Sequence, residues 1–104
     1  DDGLVRSQRE RLNGTRRWLC AELARDGRRT IPSEANFVMI DVGTDVKPLL
    51  AAFGARGIRV GRRFAALPTW LRVTIGTSTE TRAFLEALRA IVPARAGRHF
   101  LETR

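Results

Sequence analysis

Aliphatic residues occupy every second position between residues 70 and 75, which read Trp-Leu-Arg-Val-Thr-Ile. Successive side chains of a β-strand point to opposite faces, so this spacing predicts a strand that buries Leu71, Val73 and Ile75 on one side. Arg72 then leaves the sheet on the other side. The aliphatic face needs a second layer to cover it, which restricts the chain to a layered architecture.

The residues that follow predict the helix that supplies part of this cover. Gly76 ends the strand, and Thr77 and Glu80 have the spacing of a capping box. An apolar face at helical spacing comes next and ends at Pro93; it consists of Phe84, Leu85, Leu88, Ile91 and Val92.

Glycine and proline divide the rest of the chain into similar short pieces. The predicted elements are an amphipathic helix over 4–26, a short strand over 28–32, a strand over 35–40, a helix that Thr44 and Asp45 cap and Gly57 ends, a strand over 58–60 and a loop over 61–69. The order helix, strand, strand, helix, strand, strand, helix predicts an α/β fold. We expect a two-layer domain in which helices cover a small mixed sheet.

The length of 104 residues suits one domain, and the net charge of +8 raises the question of an anionic partner. Of the 19 basic residues only Lys47 is a lysine, and the arginines are dispersed from Arg6 to Arg104. Dispersed arginine favours a solvated surface, since a nucleic-acid module more often gathers basic residues beside aromatic stacking platforms. A freestanding basic α/β domain that binds nucleic acid or an acidic protein stays the alternative interpretation.

Residue types that carry chemistry are sparse. Cys20 and His99 each occur once, which excludes an internal disulfide and a cysteine-based zinc cluster, and we expect both to be structural or surface residues. The pattern contains no nucleophile with an adjacent base and no specific phosphate loop, so no self-contained catalytic site is predicted.

Arg72 is the strongest candidate for binding a ligand. A guanidinium on a fixed strand presents a planar fork that can pair bidentately with a carboxylate. The residues alone leave a structural alternative open, in which Arg72 forms an internal ion pair with Asp41 or Glu80.

Three blocks of sequence carry a resemblance to a known family. They are 32–38 (PSEANFV), 57–62 (GIRVGR) and 71–77 (LRVTIGT), and the last is the most specific because a capped helix follows it directly. Their order and spacing resemble the C-terminal domain of class I/II aminotransferases of fold type I, and most closely the histidinol-phosphate aminotransferase group. The resemblance covers about 6–92, nearly the whole chain.

This resemblance implies a transamination with pyridoxal 5'-phosphate as the electron sink, held by a lysine of a preceding large domain. In the family the arginine at the position of Arg72 binds the substrate α-carboxylate, and we expect Arg62 and Asn36 to lie at the same substrate site. For Asn36 the alternative is a residue that makes only local hydrogen bonds in its turn and strand. Lys47 lacks the surroundings of a cofactor lysine and is expected to be a surface residue.

The histidinol-phosphate aminotransferases commonly have an arginine where Gly61 stands, near a distal phosphate of the substrate. Arg62 or Arg63 is the candidate replacement, and a different side-chain preference is the alternative.

We therefore expect 1–92 to be an aminotransferase small domain and 93–104 a basic C-terminal tail. The chain starts at Asp1 and its only methionine is Met39, which is typical of a piece of a longer or processed protein. The family implies a homodimer. Separately, we expect no nucleic-acid partner and a cytoplasmic location, and no apolar run approaches the roughly 20 residues that span a bilayer. A degenerate fragment that serves only as an interaction module is a third possibility.

Overall fold

The computed structural model describes residues 2–31 and 36–93, and within these ranges it has three helices and three strands. They are α1 (Asp2–Arg25), β1 (Thr30–Ile31), β2 (Phe37–Asp41), α2 (Lys47–Ala55), β3 (Trp70–Thr74) and α3 (Ser78–Ile91). Nothing in this set of helices combines the length and the apolar character that a membrane crossing requires. Most of the predicted tail, with His99, lies outside the described residues, as do 32–35.

The strands form one sheet in the order β1-β2-β3, and both pairs are antiparallel. The predicted α/β two-layer class is confirmed, but the predicted mixed sheet is not formed by the described strands. The segment 58–60 was expected to be a further strand, but it has no strand structure. The Gly61 amide alone is bonded to β3 from this side, at 2.8 Å from the Arg72 carbonyl oxygen, in the part of the chain that the structure describes.

One face of the sheet packs against the helices and forms the core. Leu71, Val73 and Ile75 are 1%, 4% and 3% exposed, which confirms the alternation predicted for this strand. The aromatic rings of Phe53 on α2 and Phe84 on α3 stack with centroids 5.6 Å apart. Their partners in the core include Leu19, Leu23, Val38, Ile40, Val46, Leu85 and Leu88.

The helix starts agree with the sequence in one case and differ in the other. At α3 the capping box is present, because the Glu80 amide donates to Thr77 Oγ1 at 3.1 Å and Thr77 N donates to Glu80 Oε1 at 2.9 Å. At α2 the N-cap residue is Val46, whose side chain has no polar group, so the cap predicted at Thr44 and Asp45 is wrong by one residue. The Asp45 carboxylate still accepts from the Lys47 amide at 2.9 Å and satisfies one donor of the first turn.

α1 extends beyond the core at its N-terminal end. Leu4 and Val5 are 58% and 51% exposed, although the amphipathic helix was predicted to begin at residue 4, and Leu12 is the first residue of the helix packed against the core. The apolar stripe therefore continues past the layer that it covers within the described ranges.

A cluster of charged side chains joins the C-terminal ends of α1 and α3. Arg89 donates to both Asp26 oxygens at 2.8 and 3.0 Å and to Glu22 at 3.0 Å. Arg28, only 5% exposed, donates to the Val92 carbonyl at 2.6 Å. The hydrogen bond from Arg89 is the main reason that the pKa of Asp26 is lowered, whereas burial lowers the pKa of Arg28.

We predict that Arg89→Ala lowers the free energy of unfolding by about 1 kcal/mol at neutral pH, since the pair is hydrogen-bonded but Arg89 is 40% exposed and screened. A lowered pKa of Asp26 means that its contribution is present above the unfolded value of about 4 and is lost as pH falls through the folded value. Urea unfolding of both chains between pH 7 and pH 3 should therefore show the difference shrinking in acid. Arg25→Ala, at a side chain 77% exposed, is the control and should change little; a difference independent of pH would contradict the assignment to Asp26.

Candidate functional site

Arg72 lies in the middle of β3, on the face of the sheet opposite the helices. Its neighbours Leu71 and Val73 enter the core, so alternation along the strand turns Arg72 away from it. Arg72 is half-buried, and its backbone is fixed by pairing with Met39 of β2. The guanidinium is therefore carried by a backbone with little freedom to move.

The register offers Arg72 two diagonal neighbours on its own face. Phe37 and Asp41 each stand two residues from Met39, the residue opposite Arg72. Arg72 contacts the aromatic neighbour, and its Cζ lies 4.5 Å from the centroid of the Phe37 ring. Phe37 was not among the residues predicted for the site, because its diagonal relation to Arg72 follows only from the register.

The two carboxylates considered as internal partners of Arg72 are engaged elsewhere. Asp41 lies 3.6 Å from Arg29 and accepts from the Gly43 amide at 3.0 Å, and Glu80 accepts from Thr77 in the capping box. Among residues 2–31 and 36–93 no ion pair involves Arg72. Its positive charge is therefore not neutralised by the acids described.

Gly61 packs directly against the side chain of Arg72. A Cβ atom at position 61 would lie 3.0 Å from Arg72 Cβ and 3.3 Å from its Cγ and Cδ, which is closer than ordinary contact. The enzymes that the sequence resembles commonly have an arginine here. In this chain the aliphatic part of Arg72 occupies that space, so a side chain at position 61 would have to displace it.

The loop over 61–69 brings Arg62 next to this contact. Arg62 is exposed, and its Cζ lies 5.6 Å from the centroid of the Phe64 ring. Arg63 has a different role, since it donates to both oxygens of Asp45 at 2.8 and 2.9 Å and its hydrogen bond lowers the pKa of that carboxyl. Of the two candidate replacements, Arg62 is the one without an acidic partner in the described ranges.

Backbone hydrogen bonds anchor the loop at its C-terminal end. Val42 and Val46 donate to the carbonyls of Thr69 and Pro68, both at 2.9 Å, and Leu67 donates to Phe64 at 3.0 Å. Arg62 is therefore carried by an anchored loop.

Asn36 directly precedes Phe37, and its position is fixed by its backbone. Its carbonyl accepts from the Ile75 amide at 2.7 Å, and the residue is exposed. No hydrogen bond joins the Asn36 side chain to Arg72 in the described structure. Trp70, on the same strand as Arg72, is half-buried, with Arg29 Cζ 5.8 Å from its ring centroid.

The residues that the structure describes do not form a cofactor pocket. The only lysine, Lys47, is exposed at the first turn of α2, as expected for a surface residue. Two open clefts of about 620 and 540 Å³ lie elsewhere, one beside Trp18 and the other beside Arg28, and Arg72 lines neither. Within 2–31 and 36–93 no group of three potential metal ligands is present.

Comparison with known proteins gives a family match. The family model for aminotransferase class I and II matches residues 2–88. The histidinol-phosphate aminotransferase of Symbiobacterium thermophilum is 42% identical over 74 residues, which are 70% of this chain and 20% of that protein. The enzyme of the same name from Nitratidesulfovibrio vulgaris is 37% identical over 95 residues, 89% of this chain and 26% of that protein.

Solved structures show the same fold. A provisionally named histidinol-phosphate aminotransferase from Erwinia carotovora atroseptica has a TM-score of 0.80 at 23% identity. The match covers 88% of this chain and 26% of that one. A provisionally named aminotransferase from Burkholderia pseudomallei has a TM-score of 0.70 at 28% identity, over 80% of this chain and 26% of that one. The chain thus spans about a fifth to a quarter of the length of the proteins that it matches.

We predict that Gly61→Ala lowers the free energy of unfolding by about 1–3 kcal/mol, because the added methyl group overpacks against the Arg72 stem. Gly54→Ala is the matched control: Gly54 lies in α2, its Cβ would meet nothing within 4 Å, and alanine should stabilise the helix by about 0.5–1 kcal/mol. Urea unfolding measures both. Equal effects of the two substitutions would show that Gly61 and Arg72 are not in tight contact.

Proposed function

The chain belongs to the class I and II aminotransferases, and from that premise we propose that it is the C-terminal small domain of a pyridoxal-phosphate-dependent enzyme in which Arg72 binds the substrate carboxylate. The proposal depends on the surroundings of the Arg72 guanidinium. Its guanidinium stands on a paired strand, lies over an aromatic ring and has no acidic partner among the described residues. A substrate carboxylate can therefore bind this guanidinium through two parallel hydrogen bonds.

The reaction proposed is transfer of an amino group between an amino acid, or an amine like histidinol phosphate, and a 2-oxo acid. The two relatives compared above are named for histidinol phosphate. Arg62 is proposed to bind a second anionic group of the substrate, since it is next in sequence to the Gly61 contact and is not paired with an acid in the described chain. Asn36 is proposed as a polar neighbour of the same site.

Enzymes of this family generally use pyridoxal phosphate, which supplies the electron sink when it is bound. Since Lys47 and its surroundings do not fit that group, we place the cofactor and its lysine in a large domain outside this chain. The contribution of this chain is then to bind and orient the substrate carboxylate. By closing over the substrate it would also exclude water from the reacting bond.

The same proposal extends to the assembly. The large domain and a second copy of the enzyme are the proposed partners, and a cytoplasmic location stays a prediction. The freestanding nucleic-acid domain stays an alternative, which predicts binding to DNA or RNA that weakens steeply as salt rises.

In the full-length enzyme we predict that Arg72→Ala raises the KM for the amino-acid donor, lowers turnover and leaves the cofactor absorbance in place. Loss of a charge-assisted bidentate contact should lower kcat/KM by about 30- to 1,000-fold, equivalent to about 2–4 kcal/mol. Steady-state kinetics with a panel of amino acids measures the change. Arg72→Lys keeps the charge but not the fork and should recover only part of the loss. Arg56→Ala, at an exposed arginine after α2, is the control for loss of one charge. Unchanged kinetics of the Arg72 variants would remove this residue from the site.

A further inference from the structure

We propose that Phe37 is a positioning residue for Arg72, and that its ring holds the guanidinium ready for the substrate carboxylate. This inference rests on the proposed function, since it needs Arg72 to bind that carboxylate. It adds a residue whose side chain has no polar group, which patterns of polar and charged residues do not reveal. The observation behind it is the contact of 4.5 Å between Arg72 Cζ and the centroid of the Phe37 ring.

The contact is imposed by the sheet. Phe37 pairs with Thr74 and Met39 pairs with Arg72, so Phe37 and Arg72 are diagonal neighbours on one face. At this separation of about 7–8 Å between backbones, long and aromatic side chains reach each other. Both residues belong to paired strands, so the ring and the guanidinium are held by the same ladder of hydrogen bonds.

The type of neighbour decides whether the positive charge of Arg72 is already paired before a substrate binds. The other diagonal position holds Asp41, whose carboxylate would neutralise the guanidinium and compete with a substrate. An aromatic ring attracts a cation through its quadrupole and leaves the full positive charge in place. Phe37 can therefore position the Arg72 guanidinium and leave its positive charge available to a substrate carboxylate. Asp41 is paired instead with Arg29 and the Gly43 amide.

The stem of Arg72 is restricted as well. The backbone of Gly61 lies against its Cβ, Cγ and Cδ atoms, and the Gly61 amide donates to the Arg72 carbonyl at 2.8 Å. A free arginine side chain samples many rotamers and loses that freedom when it binds a ligand. Contact with Gly61 along the stem and with Phe37 at the head removes part of this loss before the substrate arrives, which is preorganisation.

The test uses the full-length enzyme and two probes. The first is whichever of the twenty standard amino acids the wild-type enzyme turns over fastest, and the second is the α-amide of the same amino acid. The ratio of their kcat/KM values measures recognition of the carboxylate. The variants are Phe37→Leu, which removes the ring, and Phe37→Tyr, which keeps it. Trp18→Leu is the matched control, because it removes a ring stacked at 4.8 Å on Arg82, between helices α1 and α3.

Phe37→Leu should lower the preference for the acid over the amide by about 3- to 30-fold, the range that a cation–π contact supplies, mainly through KM. Phe37→Tyr should stay within about twofold of wild type, and Trp18→Leu should leave the preference unchanged even if it lowers stability. Equal losses on acid and amide, or equal losses of preference for Leu and Tyr at position 37, would overturn the positioning role.

Arg72→Ala in the same assay separates this inference from the proposal beneath it. If Arg72→Ala abolishes the preference and Phe37→Leu does not change it, Arg72 binds the carboxylate without help from Phe37. If Arg72→Ala keeps the preference, Arg72 does not bind the carboxylate, so the proposed role of Arg72 is refuted and the role of Phe37 with it.

Discussion

The antiparallel register between β2 and β3 is the constraint on which the rest of the domain depends. It places Met39 opposite Arg72 and Val38 opposite Val73, so one face of the pair is aliphatic and the other carries the charged and aromatic residues. Side chains alternate with a period of two residues. A slip of β3 by one position would therefore turn Arg72 into the helix layer and expose Leu71 and Val73. Burial of the aliphatic face thus fixes the candidate site as well as the core.

The sequence predicts this arrangement only as far as local patterns reach. Alternation in 70–75 and the capping box of Thr77 and Glu80 are local, and the structure has both. The segment 58–60 has a strand-like composition but forms no strand, and only Gly61 after it is bonded to β3, because pairing is decided between segments. The contact between Phe37 and Arg72 joins residues far apart in sequence. It was not predicted, because the two residues become neighbours only through the register in which β2 pairs with β3.

The arginines illustrate how one residue type divides between structural and functional uses. Arg28 and Arg89 are bound to acids and a carbonyl where α1 and α3 meet, and Arg63 holds the loop by its bidentate pair with Asp45. Arg62 and Arg72 lie over aromatic rings instead, and the described structure pairs neither with an acid. A basic composition therefore need not indicate a nucleic-acid surface, since part of the charge pairs with acids within the described fold, at Arg25, Arg28, Arg29, Arg63 and Arg89. Ion pairs with acids mark Arg28, Arg63 and Arg89 as structural residues, which their spacing in the sequence does not show.

The charge beside β1 has a consequence for the behaviour of the domain in a crowded solution. β1 contains Thr30 and Ile31 and forms the outer edge of the sheet within the described ranges. An exposed edge is where foreign strands add, through the amide and carbonyl groups that point outward. The side chain of Arg29, which is 78% exposed, directly precedes this edge, and a foreign strand that paired here would have to accommodate its charge. The cation thereby opposes self-association through the backbone at this edge.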